Sequence, residues 1–135
     1  MVSKTFKASQ ESLPEAMAFL EEQMNILEID LKKQMQISIA VEELFVNIAH
    51  YSYAAEEGEV ELQLDKNAML IISLIDSGQP FNPLERKDPD INAPLEERDI
   101  GGLGIYMAKQ NADKIEYEYK DGKNVVRIYK KIKDE

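Results

Sequence analysis

Leu13, Met17, Leu20, Met24 and Leu27 recur three or four residues apart, which predicts an amphipathic helix over about 13–28 with Glu21, Glu22 and Gln23 on its wet side. Ser12-Leu13-Pro14-Glu15 reads as its start, the serine capping and the glutamate reaching back. A second helix is expected from about Asp30 or Lys32 to Tyr53, where Met35, Ile39, Leu44 and Ile48 keep a helical period and no proline or glycine interrupts. After Glu56-Glu57-Gly58 the period drops to two. Val60, Leu62 and Leu64 alternate with polar residues as in a half-buried strand, and Lys66-Asn67 turns the chain into the nearly continuous apolar run Met69–Asp76, which suits a central strand. Residues 2–8 fit a short edge strand. A third helical pattern begins at Gly102 or Leu103 and carries Ile105, Tyr106 and Ala108. Ile115, Tyr117 and Tyr119 then alternate up to a hairpin turn at Asp121-Gly122, and Val125 to Ile132 returns as the last strand. The resulting order, β-α-α-β-β-loop-α-β-β, predicts a two-layer α/β (α+β) sandwich: a mainly antiparallel sheet covered by helices.

No internal repeat or linker divides the chain, and 135 residues suit one domain over 1–135. The longest apolar stretch, Ala68 to Ile75, is far short of the ~20 residues a membrane span needs, so no membrane association is expected. The amino terminus lacks the apolar core of a secretory signal, and there is no cysteine, so a cytoplasmic location is expected and disulfide, thiolate and zinc-cluster chemistry are excluded. A net charge of −10 argues against direct nucleic-acid binding and favours a basic partner, with solubility as the alternative reason for the acids. Asn82 to Ile100 holds three prolines, many acids and little periodicity. A loop of that length is usually functional.

Candidate chemistry gathers around this loop. Before it, Asp76-Ser77-Gly78-Gln79-Pro80-Phe81 closes the central strand; after it, Gly101-Gly102-Leu103-Gly104 opens the next helix. Asp76 could accept a hydrogen bond from the exocyclic amine of adenine, whereas guanine would present a carbonyl, acceptor to acceptor. The same aspartate could merely cap the turn at Ser77-Gly78. Gly78 leaves room beside a base, and Phe81 supplies an apolar wall or anchors the start of the loop. Gly101, Gly102 and Gly104 can adopt positive φ and expose successive N–H groups, while the following helix aims its positive end at a polyphosphate. Upstream, Glu43 and Asn47 lie one helical turn apart on one face. Asn47 can present an oxygen to Mg²⁺, and Glu43 can take the proton of an attacking hydroxyl or water. Glu42 points about 100° away. Arg98 is the candidate for closing onto the terminal phosphates, with a solvated loop arginine as the alternative; Arg86 and Lys87 are further candidates.

In this order the segments resemble the N box, G1 box and G2 box of the GHKL ATPases, the superfamily of DNA gyrase, MutL and the histidine kinases. Glu43-Leu44-Phe45-Val46-Asn47, Asp76-x-Gly78-x-x-Phe81 and Gly101-Gly102-Leu103-Gly104-Ile105 look most like its smallest members, the anti-sigma-factor serine kinases of bacterial sporulation and stress responses. The likeness runs from about Ser12 to the end. It implies a histidine-kinase-like ATPase fold, ATP and Mg²⁺ as cofactors, Asp76 as adenine reader, Asn47 as metal ligand and an ATP lid over about 82–100. It implies a serine/threonine protein kinase that binds a sigma factor and phosphorylates a STAS-type anti-anti-sigma antagonist. Because relatives commonly pair, it also implies a homodimer, to which the amino-terminal strand and first helix could give the surface.

The alternative is a nucleotide-gated binding module in which ATP orders the lid and no phosphoryl group moves. A histidine kinase would need a separate phosphoacceptor domain, and gyrase-like or MutL-like enzymes a transducer domain. Neither a P-loop nor the protein-kinase signature set occurs. Many relatives carry a histidine four residues beyond the asparagine. Here Tyr51 stands there and His50 precedes it, so His50 is given no catalytic role and is read as a partly buried polar residue.

Overall fold

A computed structural model describes residues 1–52, 58–85 and 100–132, with 100–103 described by their backbone alone. In chain order its regular elements are β1 (Val2–Lys7), α1 (Leu13–Ile26), α2 (Leu31–Asn47), β2 (Glu59–Lys66), β3 (Met69–Asp76), α3 (Ile100–Asn111), β4 (Lys114–Lys120) and β5 (Lys123–Lys131). The strands form one antiparallel sheet in the order β1-β2-β3-β5-β4. The expected order of elements and the antiparallel two-layer α/β architecture are both present.

Register explains the layering. Leu62 pairs with Leu74 and Leu74 with Val126, so these side chains share one sheet face, as do Leu64, Ile72 and Ile128 one step along. That face is closed by Leu20 and Met24 of α1, Ile37, Val41 and Leu44 of α2 and Ile105 of α3, all within one buried core. Each such aliphatic side chain contributes roughly 1.5–3 kcal/mol on burial. At the far end of β5 the hairpin turns through Asp121 (φ 54°) and Gly122 (φ 77°), the left-handed pair that a two-residue turn between twisted strands requires.

Three local expectations change. Ser12 makes no capping hydrogen bond: a 3₁₀ turn over Gln10–Ser12 runs straight into α1, leaves Ser12 helical (φ −84°, ψ −10°) and directs its hydroxyl to Ser9 Oγ at 3.3 Å. Met35 lies outside the buried stripe and is 68% exposed. Nine residues separate it from Leu44, and at about 100° per residue that puts the two on opposite sides of α2. The stripe runs instead through Gln34, Ile37, Val41 and Leu44, and the buried Gln34 amide is satisfied by Asn25 Oδ1 (3.0 Å) and Ile29 O (2.8 Å). Finally, α2 keeps α geometry only to Asn47 and continues as a π-helical turn over Ile48–Ser52, beyond which Tyr53 lies outside the described residues.

Candidate functional site

Helix α2 brings Glu43 and Asn47 to the same side, as their spacing requires. Asn47 is buried, and its Nδ2 donates back to Glu43 O at 2.8 Å. Its Oδ1 is buried with no partner among the described residues. An orphaned buried acceptor costs about 1–3 kcal/mol, so its retention points to something that binds it. The Glu43 carboxyl is raised above its usual range, first by burial and then by the neighbouring charge of Glu42.

The π turn after Asn47 reaches across to the loop that follows β3. Gln79 N–H donates to Ser52 O and Gln79 Nε2 to Tyr51 O, both at 2.8 Å. A Cβ at Gly78 would collide with the Ser52 carbonyl, so this glycine is required first by the backbone of the turn. The Phe81 ring stacks on Tyr51 with centroids 5.2 Å apart and planes at 19°. His50, expected to be partly buried, is exposed, with Nε2 3.5 Å from Gln10 Nε2, because the π turn points it outward.

Asp76 is 2% exposed. Its Oδ1 accepts from Gly78 N–H (2.9 Å) and from Asn124 Nδ2 (3.0 Å); among the described residues Oδ2 has only the Ser52 hydroxyl, at 3.5 Å. Burial pushes this carboxyl above its usual range, and the three hydrogen bonds pull it partly back. Oδ1 thus caps the turn, one of the two expectations for this aspartate, while Oδ2 makes only the long Ser52 contact among the described residues.

Asn124 and Tyr117 were not among the candidates. Asn124 faces Asp76 across the β3–β5 pairing and is buried, and its Oδ1 accepts from both the Tyr117 hydroxyl and Phe81 N–H. Its only signal in the sequence is an amide directly after a hairpin turn. Which residue it opposes is fixed by strand register 48 positions away.

The glycine segment differs from expectation in conformation. Helix α3 begins at Ile100, so Gly101, Gly102, Leu103 and Gly104 are helical, and among the described glycines only Gly122 has positive φ. Helical geometry leaves the first four N–H groups of α3 without intrahelical partners, so the phosphate-binding potential lies in a helix N-terminus and not in a looped nest. Gly104 is buried where α3 packs on α2, and a Cβ there would collide with the Glu43 carboxylate. Arg98, Arg86 and Lys87 lie outside the described residues, as does most of the expected lid: of 82–100 only 82–85, with a 3₁₀ turn at Pro83–Glu85, and Ile100 are described.

A cleft of about 390 Å³, lined by Thr5, Gly58, Glu59, Glu61, Ile75, Asp76, Ser77 and Lys123, opens at the end of β3, so Asp76 borders it. Among the described residues no helix is long and apolar enough to cross a membrane.

The chain is similar to known proteins. The family model described as histidine kinase-like ATPase domain matches residues 6–130. The serine-protein kinase RsbW of Bacillus cereus is 32% identical over 95 residues, 67% of this chain and 59% of that protein. RsbW of Bacillus mycoides is 30% identical over 95 residues with the same coverage. The chain thus spans 59% of the length of these curated relatives. A crystal structure of the RsbU and RsbW domains of a Mycobacterium tuberculosis protein matches all of this chain and 34% of its own, with a TM-score of 0.65 at 16% identity, and so shares the fold. The chain therefore belongs to the histidine kinase-like ATPase domain family and is similar within it to the RsbW serine-protein kinases.

Proposed function

We propose that the chain is an ATP- and Mg²⁺-dependent serine/threonine protein kinase of the cytoplasm that acts as an anti-sigma factor, holding a sigma factor and phosphorylating a STAS-type anti-anti-sigma antagonist. The observation that carries the reading is Asn47 Oδ1, buried without a partner among the described residues one turn from the half-buried Glu43. A hard cation takes oxygen ligands, and this is an oxygen without a donor, so the residues fit Mg²⁺. When bound, the ion would supply neutralising charge to the β- and γ-phosphate oxygens.

The chain's own groups divide the remaining work. Asp76 Oδ2 accepts from the adenine amine, and the α3 N-terminus receives the phosphates through the N–H groups of its first turn, where Gly101, Gly102 and Leu103 lie, with Gly104 at the next position letting the helix pack on Glu43. Glu43 takes the proton of the attacking hydroxyl; a carboxyl raised toward neutrality is a better base near pH 7 than an ordinary one. Arg98 closes onto the terminal phosphates from the lid. Similarity to RsbW kinases supports the protein substrate class, and the net charge of −10 supports partners with basic surfaces.

Calorimetric titration tests the site. ATP should bind more tightly with Mg²⁺ than without it, and Asn47→Leu should lose that difference while its stability stays within about 1–2 kcal/mol of wild type, since it removes both an unsatisfied acceptor and the bond to Glu43 O. An undiminished Mg²⁺ effect in Asn47→Leu would remove Asn47 from the ion site, and failure of folded wild type to bind ATP would sink the reading.

A further inference from the structure

We propose that Asn124 is the specificity-determining positioning residue of this site: it fixes which oxygen of Asp76 meets the base and keeps that oxygen an acceptor. The inference rests on the nucleotide reading above and concerns how base choice is enforced.

Asn124 is 1% exposed, and all four of its hydrogen-bonding positions are used. Phe81 N–H can only donate, and it lies 3.0 Å from Oδ1, which settles the orientation of the amide. The Tyr117 hydroxyl is directed at the same oxygen. Nδ2 must then donate, to Asp76 Oδ1 at 3.0 Å and to Gln79 O at 2.8 Å. With Gly78 N–H also on Asp76 Oδ1, that oxygen receives two donors and has no room for a proton of its own.

A proton taken up by Asp76 would therefore sit on Oδ2, the oxygen left for the base. That changes the readout. An ionised Oδ2 accepts from the amine of adenine; a protonated Oδ2 donates, and suits the carbonyl that hypoxanthine and guanine present at the same position. Base preference is thus tied to a single proton, and Asn124 supplies a donor that favours the ionised form.

The surroundings leave few other groups to set it. Tyr117 of β4 is a neutral phenol raised above its usual range by burial first, with the Asp76 charge a lesser cause. Glu59 and Glu61 of β2 and Lys123 of β5 line the cleft that Asp76 also borders, and the Glu85 charge acts on Tyr117. The π turn contributes the Ser52 hydroxyl, and its His50 is exposed beside Gln10. Glu43 is the carboxyl that α2 brings to the site.

The test is ATP against ITP, which differ at the base and carry the same triphosphate, titrated into the full chain from about pH 5 to about pH 8. Wild type should prefer ATP. Asn124→Leu, which keeps the volume and removes the donor, should lower the ATP/ITP affinity ratio at about pH 7 on the order of 10- to 100-fold, the worth of a hydrogen bond to a charged group. Asn124→Asp sets a second carboxyl against Asp76, so the pair holds a proton to higher pH and the fall of the ATP/ITP ratio on acidification should begin at a higher pH than in wild type. A folded Asn124→Leu with the wild-type ratio overturns the inference. Should that variant not fold, Asn124→Asp decides: a pH dependence displaced to higher pH supports the proposal and a wild-type profile overturns it. Absence of ATP binding by wild type at every pH would refute the nucleotide site itself, an outcome distinct from both.

Discussion

Gly104→Ala adds one methyl group at the contact of α3 with α2, and its consequences can be worked out atom by atom. On an exposed helix the change would stabilise by about 1 kcal/mol, since glycine is the poorer helix former. Here the new Cβ would overlap the Glu43 carboxylate, with Cδ 3.3 Å away and the nearer oxygen closer still. Glu43 Cβ lies 3.9 Å off, so the backbone of α2 need not move; the carboxylate alone must swing aside. An off-rotamer side chain costs roughly 0.5–1.5 kcal/mol, which offsets the helix gain and leaves stability within about 1 kcal/mol of wild type. The melting temperature should therefore shift by no more than roughly 5 °C. Phosphotransfer should not survive so well, because a displacement of about 1 Å of a reacting group can cost 10²-fold. Melting, ATP titration and single-turnover transfer to a STAS-type antagonist should accordingly give a near-normal melt, retained ATP binding and a rate down on the order of 10- to 100-fold. A wild-type rate in Gly104→Ala would refute the argument that the missing side chain at 104 is what seats Glu43.

Two further outcomes follow from other contacts. Gly78→Ala sets a Cβ against backbone, with Ser52 C at 2.7 Å, and neither partner is a flexible side-chain end; it should destabilise by about 1–3 kcal/mol and lower ATP affinity, which denaturant unfolding and calorimetry would check. A folded carboxyl raised above its unfolded value binds more protons natively, so the penalty for ionising Glu43 grows as pH rises from its usual value of 4.5 to its folded value and is constant above. Glu43→Gln should thus melt higher relative to wild type at pH ~7 than at pH ~4, and a gap that is independent of pH would contradict the desolvated placement of Glu43.

How far the chain could be read depended on the range of the interactions involved. Strand alternation, the Asp121-Gly122 turn and the Glu43/Asn47 spacing are local, and each appears where the pattern put it. Met35 misled because a list of apolar residues at roughly helical intervals does not fix their phase; the missing test was the angle between Met35 and Leu44. The glycines at 101, 102 and 104 misled for a different reason. Glycine permits positive φ without demanding it, and at 104 the requirement comes from Glu43, 61 positions earlier, and not from the local backbone. Asn124 was invisible on the same ground, since only the β3–β5 register says what it touches.

The same contacts divide the site into two mechanical halves. Asn47, the π turn and the 76–81 loop are tied by Gln79 to Ser52 and Tyr51, by Gly78 against Ser52, by Tyr51 on Phe81, and by Asn124 to Asp76 and Gln79. A base bound at Asp76 is therefore read by the unit that also holds the orphaned oxygen of Asn47. Glu43 belongs to the other half, for its carboxylate is seated by α3, whose first turn has N–H groups without intrahelical partners. Substitutions in the first unit should change affinity and base choice together. Substitutions along the α2–α3 contact should change transfer while leaving affinity in place, which is why Gly78→Ala and Gly104→Ala, the same chemical change at two glycines, are expected to fail in different assays.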